Sequence, residues 1–176
     1  MKKQVFIFRG SPASGKGTIT AEFIKQIPGK VVYLELDTFR WGFHLYNRVV
    51  ADVSDAEHQL AYKNFLCLLE NYLQDGCYTI VAEGLFARDK ASPHGNMQDI
   101  ISICEKYGYD AKQILLSADY DILWSRNLKR EYSVPEDEFQ MLYKHVMNEQ
   151  SDNEIKINVG EKSVEQSVAI LSALLK

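Results

Sequence analysis

The chain has 176 residues, of which 46% are hydrophobic and 25% are charged, and this is ordinary for a globular protein of one domain. Its net charge of -4 at pH 7 argues against a dedicated nucleic-acid surface. No apolar stretch approaches the ~20 residues that a membrane span needs, so we expect no membrane segment.

The first half of the chain alternates between strand and helix signals. Apolar, β-branched and aromatic residues predict buried strands over residues 4–8 and 30–36. Between them, residues 18–27 carry apolar side chains at helical spacing, and Pro28 with Gly29 ends this helix. Ser54 and Glu57 have the spacing of a capping box, which predicts the start of a long helix that ends at Asp75.

The second half continues the alternation. Apolar runs predict strands over residues 78–82, 112–118 and, more weakly, 154–159. Helical spacing predicts helices over residues 97–107, 119–131 and 136–148, and Ser163 is expected to cap a last helix.

This order of elements predicts an α/β fold. Strands that alternate with helices call for a five-stranded parallel sheet with helices on both faces, here within a single domain of residues 1–176. In such sheets ligands bind outside the carboxyl ends of the strands. We therefore expect the residues that follow Phe8, Leu36, Ala82 and Ala118 to converge on one cleft.

The cysteines give a weaker signal. Cys67, Cys77 and Cys104 form no CxxC pair, and Cys67 and Cys104 lie among apolar residues, where they are predicted to be buried free thiols. The odd number of cysteines and the absence of a signal peptide favour a cytoplasmic location.

A glycine-rich stretch, GSPASGKGT, lies between the first predicted strand and the first predicted helix. It matches the pattern G-x-x-x-x-G-K, with Gly17 in the place where Ser or Thr usually follows the lysine. Glycines let backbone N–H groups face a polyphosphate, the start of the helix adds unpaired donors, and the lysine adds a positive charge near the β- and γ-phosphates. The predicted nucleotide-binding residues are Gly10, Ser11, Ala13, Ser14, Gly15, Lys16, Gly17 and Thr18.

This loop resembles the nucleotide loop of the adenylate-kinase-like P-loop kinases, which include nucleoside monophosphate kinases, chloramphenicol phosphotransferase and zeta-toxin-type kinases. The order of elements extends the likeness over almost the whole chain. The resemblance implies a three-layer P-loop NTPase fold with a short helical lid around residues 126–136, and ATP with Mg²⁺ as cofactors. No N-K-x-D run for guanine is present, which favours ATP over GTP.

Two carboxylates stand at the ends of predicted strands. Asp37 can accept the proton of an acceptor hydroxyl or hold the acceptor in line with the γ-phosphate, and the resemblance implies the role of base. Arg40 is a candidate for binding an anionic group on the acceptor. Glu83 is predicted to orient Mg²⁺, directly or through water, and the Thr18 hydroxyl is a second candidate for the metal site.

Further candidates lie on the acceptor side. Gly84 would allow a substrate to approach the backbone closely. Nucleoside monophosphate kinases usually have Asp-Gly at the end of the third strand, followed by an arginine for the acceptor phosphate. Arg88 lies one residue further along the chain than that spacing would give. Residues 39–53 should line the acceptor pocket with aromatic and hydrogen-bonding side chains, namely Phe39, Trp41, Phe43, His44, Tyr46, Asn47 and Arg48. His44 and His94 are expected to be surface histidines.

Arg126 and Arg130 are four residues apart and would share one face of the predicted helix. The resemblance implies that such a pair belongs to the lid and meets the donor phosphates, where arginines stabilise the charge of phosphoryl transfer. By the same analogy the loop after the fifth strand, with Val159, Gly160 and Lys162, is the candidate contact for adenine.

Three functions are open at this point. The first is a kinase that transfers phosphate from ATP to a hydroxyl of a small molecule. The second is a nucleoside monophosphate kinase in which Arg40 and Arg88 bind the acceptor phosphate. The third is a nucleotide-dependent switch that transfers nothing. For the first function the catalytic candidates are Lys16, Asp37, Arg126 and Arg130.

Overall fold

A computed structural model describes residues 3–41, 53–88 and 92–175, so the predicted acceptor residues Phe43, His44, Tyr46, Asn47 and Arg48 lie outside the described part. The strands are β1 (Gln4–Arg9), β2 (Val31–Glu35), β3 (Thr79–Gly84), β4 (Asp110–Ser117) and β5 (Ile155–Asn158). The helices are α1 (Lys16–Ile24), α2 (Leu36–Trp41), α3 (Asp55–Asp75), α4 (Met97–Lys106), α5 (Tyr120–Asn127), α6 (Glu136–Asn148) and α7 (Val164–Ser172), followed by a short 3₁₀ turn (Ala173–Leu175).

The described strands form one sheet in the order β2-β3-β1-β4-β5, and every neighbouring pair is parallel. In the register, Phe8 of β1 pairs with Glu83 of β3, and Glu83 pairs in turn with Glu35 of β2. The two carboxylates therefore lie side by side at the carboxyl edge of the sheet. The predicted five-stranded parallel sheet is confirmed.

Helices cover both faces of the sheet because the side chains of β1 alternate between them. Val5 and Ile7 pack in one core cluster with residues of α3 and α4, such as Phe65. Phe6 and Phe8 point to the other face, where both rings contact Phe23 of α1. Strand β1 therefore contributes to both cores, and full burial of each such side chain contributes about 1.5–3 kcal/mol to stability.

The long helix α3 begins as the sequence predicted. Ser54 accepts a hydrogen bond from the backbone N–H of Glu57, and the Glu57 carboxylate accepts one from the backbone N–H of Ser54. Ser163 and Gln166 form a second capping box at the start of α7. These caps fix the ends of helices that lie on opposite faces of the sheet.

Two helix predictions are wrong in detail. The sequence predicted no helix directly after the second strand, whereas α2 follows β2 without a loop and is stabilised by an ion pair between Asp37 and Arg40, one turn apart. The predicted helix over residues 119–131 ends earlier, at Asn127. The buried Asn127 side chain donates to the carbonyl of Val134 and accepts from its N–H, and this local pairing replaces further helical turns.

Two burial predictions also need correction. Cys104 is buried as expected, but Cys67 is exposed, because it lies on the face of α3 opposite to the buried Phe65 and Leu69. His94, expected at the surface, is half-buried against His58. Among the described residues, no helix combines the length and the apolar character required to span a bilayer.

Candidate functional site

The glycine-rich loop connects β1 to α1 and approaches β4 closely. A Cβ atom on Gly10 would lie 2.5 Å from the carbonyl oxygen of Leu116 and 2.7 Å from Ser14 Oγ, so only glycine fits there. Gly15, the N-cap of α1, has φ 79°, a left-handed conformation that glycine adopts without cost. Ala13 also has a positive φ of 61°, which in an alanine stores strain in the loop.

Lys16, the first residue of α1, bends back over the loop. Its Nζ donates to the carbonyl oxygens of Gly10 at 2.9 Å and Ser11 at 3.2 Å. The Oγ atoms of Ser11 and Ser14 are buried and have no hydrogen-bond partner among the described residues. The loop thus holds an ammonium group and two buried hydroxyls with unused hydrogen-bonding capacity, which suits a ligand rich in oxygen atoms.

Charged groups from the ends of β2 and β3, the start of α2 and the turn after α5 act on Lys16. Burial lowers the pKa of Lys16 below its ordinary value, and the charge of Arg130 acts in the same direction, whereas the charges of Glu83, Asp37 and Glu35 act in the opposite direction. A Cβ on Gly17, the residue after Lys16, would lie 3.9 Å from Glu83 Oε1, and Glu83 pairs with Glu35 in the register of β3 and β2. The loop lysine and these carboxylates therefore share the carboxyl edge of the sheet.

Glu83 is held in place by two hydroxyl groups. Thr20 Oγ1 donates to Glu83 Oε2 at 2.8 Å, and Tyr33 OH donates to the same oxygen at 2.6 Å. Burial and the Glu83 contact raise the pKa of Tyr33, so the phenol stays protonated and keeps donating. Sequence reasoning missed both donors, although Thr20 lies on the buried face of α1 with Phe23, which is a detectable signal.

Sequence reasoning also missed Glu35. Burial raises its pKa, and the charges of Glu83 and Asp37 raise it further. A carboxylate inside an otherwise apolar strand is the signal that could have identified it.

The residues around Glu83 fit a magnesium ion in their chemistry. A carboxylate oxygen is the ligand that Mg²⁺ prefers, and Glu83 Oε1 lies 3.9 Å from the position of a Cβ on Gly17, so it faces the loop. Gly17 itself offers no hydroxyl. Thr18 is exposed and lines a cavity with Arg126, while the hydroxyl that contacts Glu83 belongs to Thr20.

Asp37 and Arg40 form an ion pair within α2. Asp37 Oδ1 accepts a hydrogen bond from Arg40 Nη1 at 2.6 Å, with the Asp37 side chain 39% exposed and the Arg40 side chain 4% exposed. The guanidinium therefore fixes the carboxylate from the protein side while leaving it open to solvent. Gly84 follows Glu83 and is buried at the end of β3, next to Leu36.

A cavity of about 220 Å³ borders the loop. Arg126 Nη2 donates to the carbonyl of Val159 at 2.9 Å at this cavity. The loop residues Ala13, Ser14, Gly15 and Thr18 meet Arg126, Val159 and Lys162 there, so seven residues predicted to contact the donor nucleotide share one cavity. Arg130 lies beyond the end of α5 in the turn held by Asn127, so it does not share a helical face with Arg126.

Arg88 takes part in a different arrangement. Its Nη2 atom lies 3.0 Å from Glu154 Oε1 and donates to Gln113 Oε1 at 2.6 Å. Glu154 also pairs with the buried Arg9 at 2.5 Å. The structure thus engages Arg88 in an ion-pair network with β1, β4 and the residue that precedes β5, rather than with Arg40.

Comparisons with known proteins agree with this architecture. The family model described as an AAA domain, AAA_33, matches residues 5–151. No curated protein sequence matches the chain.

Several solved structures have a similar fold. A sugar kinase from Janibacter sp. is 15% identical, with a TM-score of 0.69 over 98% of this chain and 94% of that one. Shikimate kinase from Aquifex aeolicus is 16% identical, with a TM-score of 0.60 over 97% of this chain and 96% of that one. The tunicamycin resistance protein of Deinococcus radiodurans is 12% identical, with a TM-score of 0.66 over 99% of this chain and 96% of that one. At these identities the likeness shows the fold alone, a parallel sheet covered by helices on both faces.

Proposed function

We propose that this chain, which belongs to the AAA domain family AAA_33 of P-loop domains, is an ATP-dependent phosphotransferase. It moves the γ-phosphate of Mg·ATP to a hydroxyl of a small-molecule acceptor. The observation that carries the proposal is the placement of two carboxylates at the sheet edge that holds the loop: Asp37 lies in the first turn of α2, directly after β2, and Glu83 near the end of β3 has Oε1 3.9 Å from a Cβ placed on Gly17.

The loop from Gly10 to Thr18 binds the phosphates of the nucleotide. Its backbone N–H groups and the positive end of the α1 dipole favour an anion. Lys16 leaves the carbonyl oxygens of Gly10 and Ser11 and turns to the β- and γ-phosphates, because the phosphate oxygens carry negative charge and attract the ammonium more strongly than neutral carbonyl oxygens do. Burial lowers the pKa of Lys16, whereas the three nearby carboxylates raise it. A bound phosphate favours the ammonium form further.

Asp37 accepts the proton of the acceptor hydroxyl. Its carboxylate is partly exposed and is oriented by Arg40, which occupies one oxygen. The other oxygen, to which no described residue donates a hydrogen bond, receives the hydroxyl proton as the acceptor oxygen attacks the γ-phosphorus, the bond from that phosphorus to the bridging oxygen breaks, and ADP leaves. Catalysis then comes mainly from alignment and charge stabilisation, since the protein supplies no covalent chemistry.

Glu83 is the residue that would hold Mg²⁺, directly or through water. Magnesium bound to ATP neutralises charge on the phosphate oxygens. The contribution of this chain is to orient the Glu83 carboxylate, which the Thr20 and Tyr33 hydroxyls achieve by donating to Oε2 and leaving Oε1 towards Gly17.

Arg126 and Arg130 complete the site from the lid. The charge of Arg130 lowers the pKa of Lys16, and we assign this guanidinium to the phosphate side, where it can stabilise charge that develops on the transferred group. Arg126 lies with Val159 and Lys162 at the cavity beside Thr18, which we assign to the adenosine part of the donor.

A nucleoside monophosphate acceptor receives less support. It would require Arg40 and Arg88 to bind one phosphate, but Arg88 is engaged with Glu154 and Gln113. A switch that transfers nothing also receives less support, because it has no use for a base such as Asp37 beside the loop.

The experiment that tests the proposal is a panel of acceptors with Mg·ATP, in which the release of ADP is measured. Hydroxyl compounds of the sugar and hydroxy-acid classes form one arm, and nucleoside monophosphates form the other. The proposal expects ADP release that depends on a hydroxyl compound. Turnover with nucleoside monophosphates only, or equal binding of ATP and ADP without turnover in either arm, would contradict it.

A further inference from the structure

A cluster of Arg40, His58 and His94, here called the Arg-His cluster, lies beside Asp37 at the carboxyl edge of β2 and β3. Arg40 lies in α2, His58 in the first turn of α3, and His94 just before the N-cap of α4. Helix α2 packs on α3, and a Cβ on Gly95, the residue after His94, would lie 3.2 Å from Leu36 at the start of α2, so these three parts of the chain meet here. The His58 and His94 rings are in edge-to-face contact, with 4.9 Å between their centroids.

The cluster has hydrogen-bonding capacity that the described residues do not use. Arg40 is 4% exposed and His58 is 5% exposed. Arg40 Nη1 donates a hydrogen bond to Asp37. The Nε and Nη2 atoms of Arg40, and Nδ1 of His58, are buried without a partner in the described part of the chain. Buried polar atoms nearly always have a hydrogen-bond partner, so these three unpaired nitrogen atoms indicate that a ligand binds here.

The geometry of Arg40 indicates what that partner is. Nε and Nη2 form the side edge of the guanidinium, whose two parallel N–H groups match the two oxygens of a carboxylate or phosphate. Because Asp37 is bound at Nη1, this edge is the part of the fork that remains available. A neutral ligand would leave the buried charge of Arg40 with only one counter-charge.

The surrounding charges are mixed. Burial lowers the pKa of His58, and Arg40 lowers it further, while Asp55, Asp37 and Glu57 act in the opposite direction. Burial lowers the pKa of His94 to about 4, with contributions from Arg40, His58 and His145 and an opposing one from Asp37. His145 itself lies 3.4 Å from Glu149. Both imidazoles of the cluster are therefore neutral at pH 7 and can each donate one hydrogen bond.

We propose that the Arg-His cluster binds an anionic group of the acceptor, a carboxylate or a phosphate, on the Nε–Nη2 edge of Arg40 with His58 and His94 as further donors. The acceptor is then a hydroxy acid or a hydroxyl compound with a phosphate, placed with its hydroxyl at Asp37 and its anion across Arg40. The identification of the bound anion as part of the acceptor rests on the proposed function, but the anion site itself does not depend on catalysis.

Anion binding must be linked to proton uptake. A bound negative charge favours the imidazolium form, so it raises the proton affinity of His58 and His94. By linkage the anion binds more tightly as the pH falls below 7, until the imidazoles of the complex are fully protonated.

The test is NMR of the histidine side chains in the whole protein, with acetate and inorganic phosphate as separate probes and chloride as the reference. We expect at least one probe to raise the proton affinity of the His58 or His94 imidazole by about tenfold or more. A response to acetate alone identifies a carboxylate site, and a response to phosphate alone identifies a phosphate site; both support the proposal. Arg40→Gln should remove the response, while the matched loss of an exposed charge, Lys63→Gln, should leave it intact.

The backbone amides of Gly15 and Gly17 separate this inference from the proposed function. If phosphate shifts only these loop amides and neither probe alters the imidazoles of the wild-type protein, the anion site is overturned while the nucleotide site stands. If the imidazoles respond but Mg·ATP does not bind, the anion site stands and the proposed function fails.

Discussion

Thr20 and Glu83 are joined by a buried hydrogen bond of 2.8 Å that links α1 to the end of β3. The same Thr20 hydroxyl lies 2.9 Å from the carbonyl oxygen of Lys16. One side chain thus connects the first turn of the phosphate-loop helix with the carboxylate that we assign to the magnesium site. The geometry of the site depends on this residue, although it contacts no substrate.

Replacing Thr20 with valine keeps the shape of the side chain and removes the hydroxyl. Because hydrogen bonds to charged groups contribute about 1.5–3 kcal/mol, Thr20→Val should lower the free energy of unfolding by about that amount. Loss of a group that orients a metal-site carboxylate should lower kcat about 10- to 100-fold. Urea unfolding and steady-state kinetics measure the two effects.

The matched control is Thr18→Val, because Thr18 is exposed at the cavity and its replacement should change stability by no more than about 0.5 kcal/mol. Equal stability of the two variants would show that the contact between Thr20 and Glu83 does not stabilise the fold.

Gly10 should tolerate no side chain. A methyl group there would lie 2.5 Å from the backbone oxygen of Leu116, so Gly10→Ala should force the loop away from β4 and destabilise the protein by about 1–3 kcal/mol. Gly17→Ala is the internal comparison, since its methyl group meets only Glu83 Oε1 at 3.9 Å and alanine is favoured in a helix by about 1 kcal/mol. Thermal unfolding of the two variants should shift in opposite directions, and a destabilised Gly17→Ala beside an unaffected Gly10→Ala would refute the description of the loop.

The buried ion pair between Arg9 and Glu154 should be costly to break. Both side chains are fully buried and lie 2.5 Å apart, so Glu154→Gln leaves an uncompensated guanidinium and should cost about 3–5 kcal/mol. The exposed Glu105→Gln serves as the control and should change stability little.

The same pair predicts a pH dependence. Burial alone would raise the pKa of Glu154, but the hydrogen bonds from Arg9, from the Ser151 backbone and from Arg88, together with the charge of Arg9, lower it below its ordinary value of 4.5. A group with a lowered pKa stabilises the fold above the ordinary value and loses this contribution as the pH falls through the folded pKa. The stability of the wild type should therefore fall more steeply below about pH 4.5 than that of Glu154→Gln. Parallel acid transitions would contradict this origin of the stability.

Much of the fold could be predicted because local signals agreed with the tertiary structure. The apolar runs at β1 and β3 are buried on both faces, and the capping box at Ser54 needs only residues three apart. The short helix α2 could not be predicted, because its stability comes from the ion pair between Asp37 and Arg40 and from packing on α3. The early end of α5 depends on a pairing of Asn127 with Val134 that no periodicity reveals.

For the candidate site, the sequence identified residues that lie in motifs and missed those that act through contacts. Lys16 belongs to the glycine-rich motif after β1, and Asp37 follows β2, so both could be identified from the sequence. The sequence assigned His58 no role, since it continues the buried stripe of α3 with Tyr62 and Phe65. Its contact with His94 brings together residues far apart in the chain. Such partners become visible only when the carboxyl edge of the sheet is assembled.

The central claim is that Asp37 takes the proton of an acceptor hydroxyl beside a nucleotide held by Lys16. The most direct measurement compares Asp37→Asn with the wild type in two assays, Mg·ATP affinity by calorimetry and ADP release with the best hydroxyl acceptor, with the exposed Asp75→Asn as the control. We expect Asp37→Asn to keep its affinity for Mg·ATP and to lose about 10²- to 10⁴-fold in transfer rate, while Asp75→Asn behaves as the wild type. Wild-type transfer by Asp37→Asn, or no binding of Mg·ATP by the unaltered protein, would contradict this claim.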